Sequence, residues 1–308
     1  DLHKAIRRQR QMCIRDREST AATMFENGEL DQYQPTGDYA IKFEKEAEEG
    51  KYQYMVTDYP GTIGLRFNFI NGGTSGLMSN VKIRKAISYS IDREEMIDAV
   101  YGRYNPAYSY VAPAITFNGS SYRSQVGEVI EDEYNEYVGD PDKIVALFQE
   151  GLDELGVETP IEDITLTYLT SGSTTEVQAE REYIQQSLEE TLGLTVELSV
   201  AGDNSLFIAD RNEGNYDFFL GGWYSDYNDP LDFLYTNYTD AYGMSFGGYS
   251  NTDYDALADQ LVGETDMDKR LDIYKQMEQI LLLDDCAFAP IYYATKQVLL
   301  QNWVKDYR

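Results

Sequence analysis

A strand, a long helix and a second strand follow one another between residues 164 and 200. Apolar residues alternate with polar ones near 164–168 and again near 196–200, which is the period of a half-buried strand. Between them, residues 177–192 carry apolar side chains at helical spacing, and Gly193 ends that helix. Two strands joined in this way run parallel in one sheet, with the helix on its face. The segment therefore predicts an α/β fold with a mostly parallel sheet.

The same patterns predict the elements around this segment. Apolar alternation predicts a strand over 62–71, and a nearly continuous apolar run predicts a buried strand over 216–223. Asp92 is expected to cap a helix that Gly102 ends, with Glu95 as the other member of a capping box. Further helices are predicted over 81–90, 141–155, 253–261 and 266–283, and a closing strand pair is predicted from Ala287 onward.

Charge and the rare residue types exclude several kinds of function. With 54 acidic and 25 basic residues, the chain has a formal charge of −29, which repels nucleic acid and anionic membrane surfaces. The sequence has two cysteines, Cys13 and Cys286, and one histidine, His3. It therefore offers no disulfide framework, thiolate zinc site or histidine triad. We expect no metal and no cofactor. The sequence has no apolar run near the roughly 20 residues that span a bilayer and no signal-peptide core, so the chain is either cytosolic or lacks its beginning.

The first 17 residues differ in composition from the rest. Residues 4–17 hold six of the 25 basic residues and show no amphipathic period. Such a segment is either a basic arm that binds an anionic partner or a non-native or disordered remnant. We expect the remnant, and leave 1–17 out of the fold prediction.

Three separated passages carry a resemblance to a known family. They are VKIRKAISYSIDREEMIDAVYGRYNPAYSYVAP from Val81, NYDFFLGGWYSDYNDPLDFL from Asn215 and FAPIYYATKQVLLQNWV from Phe288. In order and spacing they resemble the solute-binding proteins of oligopeptide and dipeptide ABC importers, known as family 5. The resemblance implies a periplasmic-binding-protein-like (type II) α/β fold, in which two lobes close over a ligand like a clamp.

The resemblance also implies that the chain is a C-terminal fragment, because members of the family are much longer. It implies mostly the C-terminal lobe together with part of the first lobe. The expected division is the remainder of the first lobe at 18–80, the C-terminal ligand-binding lobe at 81–290, and a strand segment that returns to the first lobe at 291–308.

In that family, the strand end around Gly-Trp pairs with the peptide backbone, and the carboxylate three residues after the Trp receives the α-ammonium group. Matched by position, the resemblance implies backbone pairing by Gly222, Trp223 and Tyr224, and charge neutralisation by Asp226. The residues alone leave another interpretation open, in which Trp223 is a core residue and Asp226 belongs to a turn, because SDYNDP is ordinary turn chemistry.

Tyr292 and Tyr293 on the returning strand are further expected ligand contacts. Adjacent strand residues point to opposite faces, so only one of the two side chains can line the cleft, and core packing fits either of them equally well. Asn68 is expected to make a structural hydrogen bond.

The resemblance implies the solute-binding component of an ABC importer, which captures an extracellular oligopeptide or dipeptide and delivers it to permease subunits with their ATPases, without catalysis. It implies an extracytoplasmic location, in the periplasm or as a cell-surface lipoprotein, and a monomer is expected. Two alternatives stay open. One is a carbohydrate-active enzyme that uses paired carboxylates such as Asp226 and Asp229 across one cleft. The other is a member of the same family that binds a nickel chelate, haem or a sugar.

Overall fold

The computed structural model describes residues 18–239, 241 and 246–306, and the basic segment 1–17 lies outside them. The chain divides into two compact units. Of the described residues, the smaller unit comprises 18–58 and 295–306, and the larger unit comprises those within Tyr59–Ala294.

The smaller unit is built from two helices, one short strand, the beginning of one long strand at 53–58 and the end of the last long strand. Helix α1 is Glu18–Glu26, strand β1 is Gln32–Tyr33 and helix α2 is Gly37–Glu48. β1 pairs antiparallel with the last strand, with Gln32 opposite Leu300. The buried apolar side chains of its core are Ala21, Ala22, Phe25, Tyr33, Phe43 and Leu299.

Most of the strands lie in one mixed sheet. Within the larger unit, strands β9, β2, β8, β6 and β7 lie side by side in that order, with β3 beside β9, and β4 pairs with β5 in a separate small sheet. β6 runs parallel to both β7 and β8, whereas β2 runs antiparallel to β8. The bounds are β2 Gln53–Phe67, β3 Asn105–Pro106, β4 Thr116–Phe117, β5 Ser120–Ser121, β6 Thr165–Ser171, β7 Thr195–Ala201, β8 Phe218–Tyr224 and β9 Phe288–Leu300.

Ten helices among the described residues of the larger unit surround its strands. Asn80 caps the first of them by accepting from Lys82 N at 2.8 Å, and Asp92 caps the second by accepting from Glu95 N at 3.0 Å. Gly102, in the left-handed region at φ 63°, ends the turn that extends the second helix. The bounds are α3 Val81–Tyr89, α4 Arg93–Met96, α5 Tyr122–Val126, α6 Glu131–Tyr137, α7 Pro141–Leu155, α8 Thr175–Leu192, α9 Asn204–Glu213, α10 Pro230–Leu234, α11 Thr252–Gln260 and α12 Met267–Gln279.

Two large apolar cores are packed in the larger unit. The first core includes Phe67, Phe218 and Tyr292, and the second includes Phe233, Phe288 and Tyr293. Because Tyr292 and Tyr293 are neighbours on β9, their membership of different cores places the two cores on opposite faces of that strand.

The predicted α/β class and the strand–helix–strand segment are confirmed, since β6, α8 and β7 form a parallel pair with its helix. The prediction of a mostly parallel sheet is wrong, because β2 enters between β8 and β9 and runs antiparallel to β8. The prediction of a closing strand pair from Ala287 onward is also wrong, because Phe288–Leu300 is one continuous strand.

The segment 71–80 lies inside the larger unit. Ser75 holds this segment there, because both its backbone N–H and its hydroxyl donate to Asp217 Oδ1, at 2.9 and 2.7 Å. The contacts divide the chain at 58/59 and 294/295. Which unit corresponds to which lobe stays a prediction.

Candidate functional site

Strand β8 leaves part of one edge unpaired. On one side it pairs with β2 along its whole length, from Tyr224 opposite Gly61 to Phe218 opposite Phe67. On the other side, β6 pairs with it only at Phe218 and Phe219. In the described part of the chain, residues 220–224 therefore present one edge without a neighbouring strand.

The ladder between β2 and β8 shows which backbone groups lie at that edge. Ser225 N donates to Pro60 O at 2.7 Å at one end, and Asn68 N donates to Asp217 O at 2.8 Å at the other. Hydrogen-bonded pairs alternate along an antiparallel ladder, so the odd-numbered residues of β8 bond to β2. The N–H and C=O groups of Leu220, Gly222 and Tyr224 consequently point to the free edge.

The backbone of Trp223, opposite Thr62, belongs to the ladder with β2, and its side chain serves another purpose. Trp223 Nε1 donates to Asp232 Oδ2 at 2.9 Å, and Asp226 N donates to the same oxygen at 2.9 Å. Asp232 is 1% exposed, at the start of α10. One buried carboxylate thus fixes both the indole and the turn that carries Asp226.

Asp226 is exposed, immediately beyond the end of β8. Within the described residues, its carboxylate has no hydrogen bond or ion pair, while its backbone is held by Asp232. The nearby Asp229 is engaged differently. It caps α10 by accepting from Leu231 N, and it accepts from the Tyr274 hydroxyl, both at 2.9 Å. The turn therefore presents one carboxylate outward and uses two for its own structure.

The two tyrosines of β9 differ in their surroundings. Tyr293 is 4% exposed, and its hydroxyl donates to Glu128 Oε2 at 2.6 Å, so it packs within the second core. The Tyr292 ring stacks on the Tyr104 ring with 4.5 Å between centroids and an interplanar angle of 2°. Tyr292 therefore lies on the first-core face of the sheet.

The even-numbered side chains of β8 point to that same face, because Phe218 and Leu220 pack in the first core. Tyr224 continues this row and is 49% exposed, with its ring 5.6 Å from that of Tyr59. The structure thus places Tyr224 and Tyr292 on one face of the sheet.

Asn68 makes the structural hydrogen bonds expected of it, donating to Gly214 O and Tyr216 O at 2.8 Å. Sequence reasoning missed Asp232. An aspartate in the first turn of a helix is expected from the helix dipole alone, so the sequence gives no reason to assign Asp232 a further role. Nothing in the spacing identifies Trp223 as its partner.

None of the helices in residues 18–239, 241 and 246–306 is long and apolar enough to cross a membrane.

The chain is similar in sequence to known peptide-binding proteins. The dipeptide-binding protein DppE of Bacillus subtilis (strain 168) is 29% identical over 286 residues, which cover 92% of this chain and 48% of that protein. The oligopeptide-binding protein OppA of the same organism is 31% identical over 237 residues, covering 74% of this chain and 39% of that protein. The chain thus spans less than half the length of these two relatives.

Solved structures show the same fold. Listeria monocytogenes OppA bound to peptide superimposes with a TM-score of 0.72 at 29% identity, covering 94% of this chain and 53% of that chain. The substrate-binding domain of an oligopeptide ABC transporter from Bacillus anthracis has a TM-score of 0.74 at 24% identity, covering 92% and 52% of the two chains, and supports the fold alone. The fold is α/β and periplasmic-binding-protein-like (type II). The family model "Bacterial extracellular solute-binding proteins, family 5 Middle" matches residues 10–245 of the sequence, and the chain belongs to this family.

Proposed function

We propose that this chain is part of the solute-binding component of an ABC importer, which captures an extracellular peptide and delivers it to the membrane permease and its ATPases. The observation that carries the proposal is the free edge at 220–224 with the outward carboxylate of Asp226 beside it. The relatives named above as dipeptide- and oligopeptide-binding proteins support it. The chain spans less than half the length of these relatives. We therefore also propose that residues outside this chain form the rest of the ligand cleft.

The free edge suits an extended peptide. Backbone groups of Gly222 and Tyr224 can bond to the ligand as a neighbouring strand would, which gives affinity that does not depend on the ligand's side chains. A peptide also carries an α-ammonium group, whose burial without a counter-charge costs several kcal/mol. The Asp226 carboxylate supplies that counter-charge.

The same features favour a peptide over the other ligands considered. A nickel chelate, haem or a sugar offers no row of amide groups to match a strand edge. Paired-carboxylate hydrolysis is disfavoured because Asp229, the partner that Asp226 would need, is engaged in capping α10 and in bonding Tyr274. The proposed protein is a non-catalytic, extracytoplasmic monomer.

Calorimetric titration of the complete gene product with a mixed pool of tri- to pentapeptides tests the proposal. We expect saturable binding and the recovery of unhydrolysed peptide from the complex. A panel of glycosides serves as the control and should produce neither heat nor product. Absence of both a heat signal and a thermal shift with every peptide, or turnover of a glycoside, would overturn the proposal.

A further inference from the structure

A carboxyl group lies among tyrosines on the face of the sheet that Tyr224 and Tyr292 share. Glu180, on the second turn of α8, accepts a hydrogen bond from the Tyr101 hydroxyl. The Tyr101 ring lies 4.8 Å from the Tyr292 ring, which in turn stacks on Tyr104. Helix α8, strand β9 and the segment 101–104 thus bring one carboxyl and three phenol rings together.

Tyr224, whose backbone lies at the free edge of β8, has its side chain on the same face of the sheet as this cluster. Burial raises the pKa of Tyr224, and the charges of Tyr104, Tyr59 and Glu180 add to the rise. Burial likewise raises the pKa of Tyr292, and the charges of Glu180, Tyr104 and Tyr224 add to it. Since the backbone of Tyr224 faces the free edge, a side chain of a peptide paired there has this cluster beside it.

Arg103, a cation beside the cluster, is already matched. Arg103 donates to both carboxylate oxygens of Glu176 at 2.6 Å, and its guanidinium lies 4.7 Å from the centre of the Tyr104 ring. Among the described residues, Glu180 forms no ion pair. Of these two carboxylates on adjacent turns of α8, Glu176 is neutralised and Glu180 is not.

The surroundings of Glu180 disfavour its charge. Burial raises the pKa of Glu180 to about 7, the hydrogen bond from Tyr101 opposes this rise, and the charge of Glu176 adds to it. Tyr168 belongs to the same apolar core as Tyr101 and Tyr292, and burial raises the pKa of its hydroxyl, with the charge of Glu180 adding to the rise. That hydroxyl is buried, and the described residues give it no hydrogen-bond partner. The cluster thus holds both an unmatched carboxyl and an unused hydroxyl.

We propose that Glu180, with the rings of Tyr101, Tyr104, Tyr224 and Tyr292, forms a subsite that selects a lysine or arginine side chain of the bound peptide. The faces of tyrosine rings attract cations, and a carboxylate among them supplies the matching charge. An ammonium or guanidinium group that enters the cluster stabilises the ionised form of Glu180. This inference rests on the proposed function, since the cation arrives as part of a peptide paired with β8.

The test compares the affinities of paired tetrapeptides. The two peptides of a pair are identical except at one position, which holds lysine in one and norleucine in the other, and each of the four positions is tested in turn. Norleucine has a side chain of similar length but no charge. At one position we expect the complete gene product to bind the lysine peptide about 10-fold more tightly than its norleucine partner. In Glu180→Gln, which keeps an acceptor for Tyr101, this ratio falls to about 1 while the affinity for the norleucine peptide changes less than about 2-fold.

Glu182→Gln is the matched control. Glu182 lies two residues away on the same helix and is exposed, so its substitution should leave the lysine preference intact. The preference of the unsubstituted protein should also rise between pH 6 and pH 8, because Glu180 must lose its proton before it can pair with a cation. The groups that face it are the ion pair of Glu176 with Arg103 and the hydroxyls of Tyr101, Tyr104, Tyr168, Tyr224 and Tyr292. Burial raises the pKa of each of these tyrosines above its usual value, so they stay neutral and leave this sign unchanged.

A ratio near 1 at every position in the unsubstituted protein, or a ratio that Glu180→Gln leaves unchanged, would overturn the subsite. Either result is compatible with tight binding of both peptides and therefore leaves the proposed function intact. Failure of the proposed function is distinct, because then neither the lysine nor the norleucine peptides bind.

Discussion

At the residue scale, the position of the exposed Asp226 carboxylate depends on the buried carboxylate of Asp232. Asp232 is buried, and one of its oxygens accepts both from the Trp223 indole and from the Asp226 backbone. Asp232 touches no proposed ligand atom. Its role is to position the turn on which the ligand-facing carboxylate stands.

We expect Asp232→Ala to lower the free energy of unfolding by about 2 kcal/mol or more, because it leaves two donors without their acceptor. Asp232→Asn keeps one carbonyl oxygen at this place and should cost less. Urea denaturation of both variants measures the difference. Equal stability of Asp232→Ala and the unsubstituted protein would show that this carboxylate does not hold the turn.

At this scale, sequence reasoning reached part of the site. Tyr224 and Asp226 were identified through the resemblance, and the pattern of adjacent strand residues correctly required that Tyr292 and Tyr293 face different ways. Asp232 and Glu180 were missed, because their partners come from other elements and from side-chain directions that spacing along the chain does not encode. The ligand roles themselves stay predictions.

At the element scale, the free edge of β8 exists because β2 pairs with the whole strand and β6 with only its beginning. Close approach of β2 requires a glycine. A Cβ on Gly222 would lie 1.9 Å from Thr62 O, which is a backbone atom and cannot move aside without shifting the strand.

Gly222→Ala should therefore destabilise the protein by about 1 to 3 kcal/mol and weaken peptide binding as well. Gly221→Ala is the matched control, because the nearest atom to its Cβ would be on the Phe219 side chain, at 2.8 Å, and a side chain can rotate away. Thermal unfolding with calorimetric titration measures both effects. A Gly222→Ala protein as stable as Gly221→Ala would contradict this account of the ladder.

Elements with a buried apolar face could be predicted, whereas exposed ones could not. The second half of β2 is buried and was predicted, but its residues 53–60 are mostly exposed and carry no apolar alternation. Helix α9 has no buried residue, and it was missed although Asp203 caps it. The antiparallel entry of β2 was missed as well, because hydrophobic periodicity does not report strand direction.

At the scale of the whole molecule, the two units rest on separate sets of contacts. In the smaller unit, the segment after β9 holds the N-terminal part through hydrogen bonds. Gln301 Nε2 donates to Phe25 O at 2.6 Å, and Gln301 N donates to Asp31 O at 3.1 Å. Gln301 is 5% exposed, so its bonds are shielded from water.

Gln301→Ala should speed hydrogen exchange in α1 and β1, because the Phe25 carbonyl loses one of its two donors and keeps only Gly28 N, at a cost of about 0.5 to 1.5 kcal/mol. The neighbouring Asn302→Ala is the control. Asn302 also bonds to backbone carbonyls, of Gly50 and Lys51, but in an exposed position, so its loss should matter less. Hydrogen-exchange mass spectrometry resolves the two units. Faster exchange confined to Tyr59–Ala294 would refute the role given to Gln301.

The central claim is that the edge of β8 and Asp226 hold the main chain and amino end of a peptide. Calorimetry of one peptide with a free and with an acetylated amino end, on the unsubstituted protein and on Asp226→Asn, tests it most directly. The account predicts that acetylation weakens binding to the unsubstituted protein by about 100-fold and has little further effect on Asp226→Asn, because both changes remove the same ion pair. Equal affinity of the unsubstituted protein for both peptides, or losses that simply add, would contradict it.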